Sequence, residues 1–492
     1  MKIRKKTLIL SICGALLALV IACITCADII ISDIATRQVQ KRLAEIDTLD
    51  LTVGDIDVFL VAHMVNVQDI TFNGKGVKAH VPQVTVGPIN YKSLWKDKTV
   101  SISRVKVSDA AIAYADSTSK MTVEVDSVDA LVHDIRYCIT DSSFAYNDSV
   151  YSLSVGAVRF MAPDGLSRAE VHNLSYEDNG PVKLGYTRFC NTLPPAKLAD
   201  LMQEPTTWVD VELNSLTTSP INPWKMAQSK KQYELESLSA DVRRMHVYRD
   251  VRYKAKHPFP MPQSVLMAMP VRFEIHKADA VVHTLDVEFA STNINCGKLR
   301  FYNMKAALNC ITNIPKHTFV SRVKAAVGEK GTINAKFAMH MTRMCNFDFD
   351  VEAKEFETAR LNTFVRPLVG MTFDCHIDKL SAAYSGDSVQ ATGQFTMLYH
   401  GLKVQVHKED DIPYKVVTKN AKTITTLANT LIPKSNPTAV DIHPRSYKVE
   451  AKRDIWQQFP LYLFMPIIDG VKETMLPGLY VHKQVHEKKS KK

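Results

Sequence analysis

The chain has 492 residues, 46% apolar, 23% charged and 8% aromatic, an ordinary globular composition that excludes disorder, collagen-like repetition and a polytopic membrane protein. Its formal charge of +10 sits mostly at the ends, +4 in residues 1–6 and +4 in residues 483–492, which leaves +2 for the body. A nucleic-acid binder would carry a basic face interleaved with aromatic side chains along its folded part, so nucleic acid is excluded as a partner.

After the basic hexapeptide, Thr7 to Ala27 is free of charge, and a helix of that length would be about 31 Å long, matching the ~30 Å hydrocarbon core of a bilayer. The basic flank precedes it and the first charges after it are Asp28 and Asp33. The positive-inside rule then predicts a cytoplasmic N-terminus and an exported body. An uncleaved anchor is favoured over a secretory signal cut after Ala27, because Ile29, Ile30 and Ile31 continue the apolar run. A helical pattern then carries on through Ile34, Val39 and Leu43, with Arg37, Lys41 and Arg42 on other faces. The alternative is a lipoprotein attached through Cys23, in the loose lipobox Val20-Ile21-Ala22-Cys23.

Beyond residue 45 two-residue alternation dominates, as a strand with one buried and one wet face requires. Phe347, Phe349, Val351 and Ala353 alternate with Asp348, Asp350, Glu352 and Lys354. Similar runs are Val271, Phe273, Ile275; Leu285, Val287, Phe289; and Leu402, Val404, Val406. Carboxylates inside these strands place their polar side in solvent. Turn signals at Asn73-Gly74, Pro163-Asp164-Gly165, Asp178-Asn179-Gly180, Ser385-Gly386-Asp387 and His400-Gly401 predict antiparallel meanders. Short helices are expected over Pro195–Gln203, Pro262–Met269 and Ala421–Ile432. Gly87–Asp116 weakly repeats in Ser219–Asp250: Pro-Ile-Asn, a short Trp-bearing helix, then two strands ending in an aromatic and an aspartate. Repetition of a strand-rich unit suggests one elongated body. With no long helices to cover it, the apolar face must close on itself or stay open as a groove for something greasy.

Chemistry-bearing motifs are few. Cys296 and Cys310 read as half-buried strand cysteines, a disulfide closing a short loop being the alternative, and the cysteine spacings give no zinc site. In Met339-His340-Met341, with Met344 and Cys345 nearby, strand geometry sends His340 away from the two methionines, which argues against soft-metal binding. His482 and His486 lie in the lysine-rich tail without a third ligand. No hydrolase, zincin, Walker or dinucleotide fingerprint is present, so the chain is read as non-enzymatic, with no cofactor and no metal. Phe459 to Ile468 is apolar but only ten residues long and interrupted by Pro460 and Pro466, a segment for the core, a groove cap or a membrane surface.

Two stretches resemble the AsmA-like family of diderm bacteria, the repeating β-groove lipid-transfer proteins. One is Val53–Ala115, behind the anchor and helix; the other is Ala359–Val406. The tail from Trp456 to Thr474 is similar to the end of Bacteroidota-type members. The resemblance implies a mainly β fold: an N-terminal transmembrane helix, then an elongated, curved antiparallel sheet forming a groove, with a few short helices. It divides the chain into a tip and anchor (1–27), an N-terminal unit (28–130), a middle β-groove region (131–330), a C-terminal unit (331–478) and a basic tail (479–492). It further implies an inner-membrane protein with a periplasmic body that binds or transfers lipid acyl chains. Groove lining is expected from Phe273, Phe289, Phe347, Phe349, Met397 and Val404. About 20 strands would span only ~100 Å, so the chain is expected either to hand lipid to an envelope protein partner or to act near one membrane. A structural or assembly factor of the envelope, with the apolar face as its core, is the competing reading.

Overall fold

The computed structural model describes residues 27–41, 50–74, 76–90, 98–138, 143–145, 151–222, 232–290, 296–327, 330–363, 366, 371–407, 421–439 and 442–475. The segment read as an anchor, the two Trp-bearing repeat helices, Leu43 and the lysine-rich tail lie outside them. Strands make up 62% of the described residues, so the expected mainly β class holds. The chain divides into two compact units, residues 1–187 with 220–224, and residues 188–219 with 225–492.

The first unit opens with helix α1 (residues 27–41). It continues through β1 (Leu51–Thr52), β2 (Ile56–Phe59), β3 (Met64–Gly74), β4 (Val77–Val86), β5 (Ile89–Asn90), β6 (Thr99–Ala115), β7 (Thr122–Cys138), β8 (Ser143–Ala145), β9 (Tyr151–Met161), β10 (Ser167–Glu177) and β11 (Pro181–Leu184). Antiparallel pairing runs β2–β3–β4–β6–β7–β9–β10–β11. The apolar alternation is locked in register: Ile56, Val67, Val84, Val107, Ala130, Leu153 and Tyr176 form one cross-strand row.

A crease crosses this sheet. Pairing skips Asp69 and Pro82 between β3 and β4, Ser127 and Gly156 between β7 and β9, and Gly156 and Asn173 between β9 and β10. Asp69, Asp109, Ser127 and Asn173 there have φ near +50°. Asp and Asn tolerate this conformation better than most residues, and proline at a bulge gives up no ladder hydrogen bond. Gly156 is required by close approach, since a Cβ there would lie 2.8 Å from Cβ of Ser127. Each bulge inserts one residue, so the sequence phase slips while the apolar face stays continuous: Val105 and Val107 give way to Ala110 and Ile112. This explains why the repeat reads as two strands. Gly87–Asp116 contains one 17-residue strand, β6, and Ser219–Asp250 one 19-residue strand.

Helix α1 packs by its polar side. Leu60, Val58 and Ile56 donate their backbone N–H groups to Asp28 Oδ1 (3.1 Å), Ser32 Oγ (2.7 Å) and Thr36 Oγ1 (2.9 Å), and Gln40 Nε2 donates to the carbonyls of Val53 and Gly54. A four-residue polar stripe therefore satisfies the open edge of β2, which would otherwise present unpaired backbone groups. Ile34 and Val39 of the predicted helical pattern, and Ile29 and Ile30 of the run before it, are exposed.

The second unit contains β12 (Thr187–Asn191), whose first residue belongs to the other unit, α2 (Pro195–Met202), β13 (Thr206–Pro220), β14 (Gln232–Asp250), α3 (Pro262–Met267), β15 (Arg272–Ala290), β16 (Cys296–Thr312), β17 (Thr318–Val327), β18 (Gly331–His340) and β19 (Phe347–Glu357). A 3-10 turn (Thr358–Leu361), β20 (Met371–Gly386), β21 (Gln390–Val406), α4 (Ala421–Leu431), β22 (Ser446–Lys452) and α5 (Phe459–Met475) complete it. From β15 to β22 each strand pairs antiparallel with the next. The expected wholly antiparallel sheet is corrected at one joint: β14 and β15 run parallel. Residues 251–271, with α3, supply the long crossover such a pair requires. They are anchored by Gln263, whose amide donates to the carbonyls of Cys345 (3.0 Å) and Asn346 (3.2 Å).

Two other expectations are corrected. His400-Gly401 is no turn; it lies inside β21, with Gly401 at φ +71°. The polar face is not uniformly solvated either. Asp286 is buried and held by Arg300 and Arg244, and Asp210 is buried against Arg188 at 2.9 Å.

Candidate functional site

The apolar face of the second unit is continuous across its strands. Ala240, Ala280, Ala306, Val323, Ala335, Val351, Ala382 and Phe395 are register partners from β14 to β21. A parallel row runs Leu238, Ala278, Leu308, Ser321, Phe337, Phe349 and Tyr384. Burial changes along these rows. Ala240, Ala280, Ala306, Leu308 and Val323 are half-buried with Ala278 and Ser321 buried among them, Ala335, Phe337 and Val351 are also half-buried, and Ala382, Tyr384 and Phe395 are fully buried.

The largest cluster of buried side chains lies under helical cover. Helix α5 lays Phe459, Tyr462, Leu463, Ile467 and Val471 on the buried end, and α4 contributes Ala428, with Ile432 just after it. Pro460 sits in the first turn of α5, where its missing N–H costs nothing, and Pro466 is accommodated inside it. The predicted interruption is therefore one helix, Phe459–Met475. Tyr384 donates its hydroxyl to the Leu463 carbonyl, and Tyr462 donates to the Asp387 carbonyl at 3.2 Å. Gly470 lets the helix touch the sheet, since a Cβ there would lie 2.2 Å from the Phe395 ring. Burial pushes the Tyr462 and Tyr384 phenols well above the usual tyrosine range.

Of the six residues expected to line a groove, Phe347, Phe349, Met397 and Val404 come together in this closed cluster. Phe349, only 6% exposed, packs against Tyr384 and Phe464. Phe273 and Phe289 are half-buried at opposite ends of β15, about 50 Å apart at strand rise. Leu299, Phe301, Met304 and Leu308 of β16, all half-buried on the apolar side, were not singled out by the sequence. A phase slip at Asn303, with φ +49°, hides their alternation.

A hollow of about 530 Å³ in this unit opens on the opposite face, between the side chains of Arg322, Lys324, Lys336, Asp350 and Glu352. Glu352 is paired there with Lys354 and Lys379, both at 2.6 Å. Hydrogen bonds from these two lysines hold its carboxyl below the usual range.

Met339 and Met341 are buried, while His340 bonds Thr318 at 3.0 Å and Asp348 at 2.9 Å on the other side. The methionine and histidine groups thus diverge. Cys296 and Cys310 occupy the two ends of the single strand β16, about 45 Å apart, so the alternative disulfide between them does not form. Cys310 is a free thiol. No family model and no curated protein matches the chain.

Proposed function

We propose that this chain is a membrane-tethered lipid-binding protein of the AsmA-like kind, in which the uncovered part of the apolar sheet face shelters acyl chains and passes them between or within envelope membranes. The observation that carries this reading is the stretch of apolar rows on β14–β17, where half-buried Ala240, Ala280, Leu308 and Val323 stand among buried Ala278 and Val282, continuous in register with the rows on which α4 and α5 pack. An aliphatic chain laid along it would replace the missing cover. Each CH₂ removed from water contributes about 0.8 kcal/mol, so sixteen carbons gain roughly 10 kcal/mol in a dry site, comparable to their gain in a bilayer. Transfer is then close to thermoneutral and needs no catalytic residue. Its direction comes from a gradient or an envelope partner.

Tethering through residues 7–27 to the inner membrane, with the body in the periplasm, is supported by the uncharged sequence and by an apolar patch beside it. Ile29, Ile30 and Ile34 of α1, Phe59 at the end of β2, and Leu60 and Val61 of the β2–β3 turn are exposed directly after that segment or close to α1, a patch suited to a lipid surface. Attachment through Cys23 would serve the same end.

The closed cluster around Phe347 and Phe349 favours a second reading, a structural factor of the envelope with a packed core. Two variants separate the readings. Phe349→Asp buries a carboxylate among Tyr384 and Phe464 and is expected to unfold the C-terminal part of the sheet. Leu308→Asp, on the half-buried stretch, is expected to keep the native circular dichroism and lose lipid recovered by mass spectrometry from the purified full chain. Full lipid content in Leu308→Asp would refute the groove.

A further inference from the structure

On the polar side of β15 and β16 a second set of side chains converges. Cys310 Sγ lies 3.4 Å from Glu274 Oε1 and 3.9 Å from His317 Nδ1, and His317 Nδ1 lies 3.1 Å from Glu274 Oε2. Tetrahedral zinc, with bonds of ~2.3 Å to sulfur and ~2.0–2.2 Å to nitrogen and oxygen, separates such donors by ~3.4–3.6 Å. All three distances fall within about 0.3 Å of that range, the thiol facing Oε1 of Glu274 and the imidazole facing Oε2. His276 stands beside them, its Nδ1 3.6 Å from Glu274 Oε1 and its Nε2 2.7 Å from Glu234 Oε1. A carboxylate on the far nitrogen is how metal-binding histidines are usually oriented.

The fold brings these groups together by means the spacing does not reveal. Pairing between β15 and β16 skips His276 and Cys310, which face each other at a bulge where Cys310 has φ +55°. Bulges re-aim side chains. His317 comes from the β16–β17 turn, which is firmly held. Asn313, fully buried, donates to the Val271 carbonyl at 2.6 Å and accepts from Phe273 N–H, and the His317 carbonyl accepts from Met341 N–H at 3.0 Å. Glu274 is pinned opposite Thr312 in register. The donors are therefore preorganised on paired strands and a braced turn.

We propose that Glu274, Cys310 and His317, with His276 as the adjacent fourth donor, form a binding site for one divalent transition ion of the zinc class. The thiolate–imidazole–carboxylate set suits a borderline ion over calcium or magnesium. Binding replaces the Cys310 thiol proton with the metal and releases that proton to solvent, with no change of oxidation state. The ion would staple β15, β16 and the following turn across the bulge.

Cobalt titration of the full chain in mild detergent tests this. One equivalent is expected to give a thiolate-to-cobalt charge-transfer band that zinc abolishes by displacement, and to protect Cys310 from alkylation, read by peptide mass spectrometry. Cys310→Ser should remove the band, and His317→Ala should weaken binding at least about tenfold, both with unchanged circular dichroism. A His482→Ala, His486→Ala chain should bind as the native chain does. Absence of the band, or a band that survives Cys310→Ser, overturns the site. Zinc binding that leaves Cys310 fully open to alkylation overturns it as well.

Discussion

Asp348 carries a pH dependence set by its neighbours. Hydrogen bonds from Ser385 and His340 hold its carboxyl below the usual aspartate value of 3.8. A carboxyl depressed in the folded state stabilises the fold above the unfolded value, and that contribution is lost as pH falls through the lower folded value. The stability of the native chain should therefore drop below about pH 4, and Asp348→Asn should remove part of that slope while lowering stability at neutral pH, measured by denaturant unfolding across pH. Such pairings were only half legible in the sequence. Alternation assigned Asp348 and Phe349 correctly to opposite faces, because a strand's period is fixed. It placed Asp286 in solvent wrongly, because the arginines that bury it, Arg300 and Arg244, come from the neighbouring strands β16 and β14. The Glu274–Cys310–His317 cluster escaped for the same reason, since two of its three members meet only through strand pairing and a bulge.

The secondary elements tell a similar story in both directions. Local chemistry announced α2, α3 and α4, each within two residues of its expected end, and the Asp178-Asn179-Gly180 turn, where Asp178 and Asn179 both have positive φ. Tertiary geometry overrode pattern in α1. The apolar pattern through Ile34 and Val39 stays exposed, because the open edge of β2 has backbone donors that Asp28, Ser32 and Thr36 accept, while Gln40 donates to the carbonyls just before that strand. Replacing Ser32 with Ala and Thr36 with Val together should cost about 1 kcal/mol per lost bond. Amide hydrogen exchange should quicken at Ile56 and Val58, whose N–H groups those hydroxyls accept. Unchanged exchange at both amides would show that the stripe does not seal the edge. The phase slips at Asp109 and Asn303 likewise mark where pattern reading failed, since an inserted bulge residue mimics the end of a strand.

For the molecule as a whole, composition and alternation were enough to recover a mainly β chain, but not the parallel β14–β15 joint or the extent of helical cover. Both depend on contacts between segments distant in sequence, such as α5 on β20–β22. Cover is what separates a core from a lipid site. It is present over Phe347, Phe349, Met397 and Val404, while toward β14 half-buried residues such as Ala240, Ala280 and Leu308 stand among buried ones such as Ala278 and Val282. The central claim is that acyl chains occupy this second stretch, and site-specific photo-crosslinking in cells tests it most directly. With a photoreactive residue at Leu308, on the apolar side, or at Arg322, on the polar side of the next strand, lipid should be captured from the first position and not from the second. Equal capture from both positions, or none from Leu308, would contradict the account.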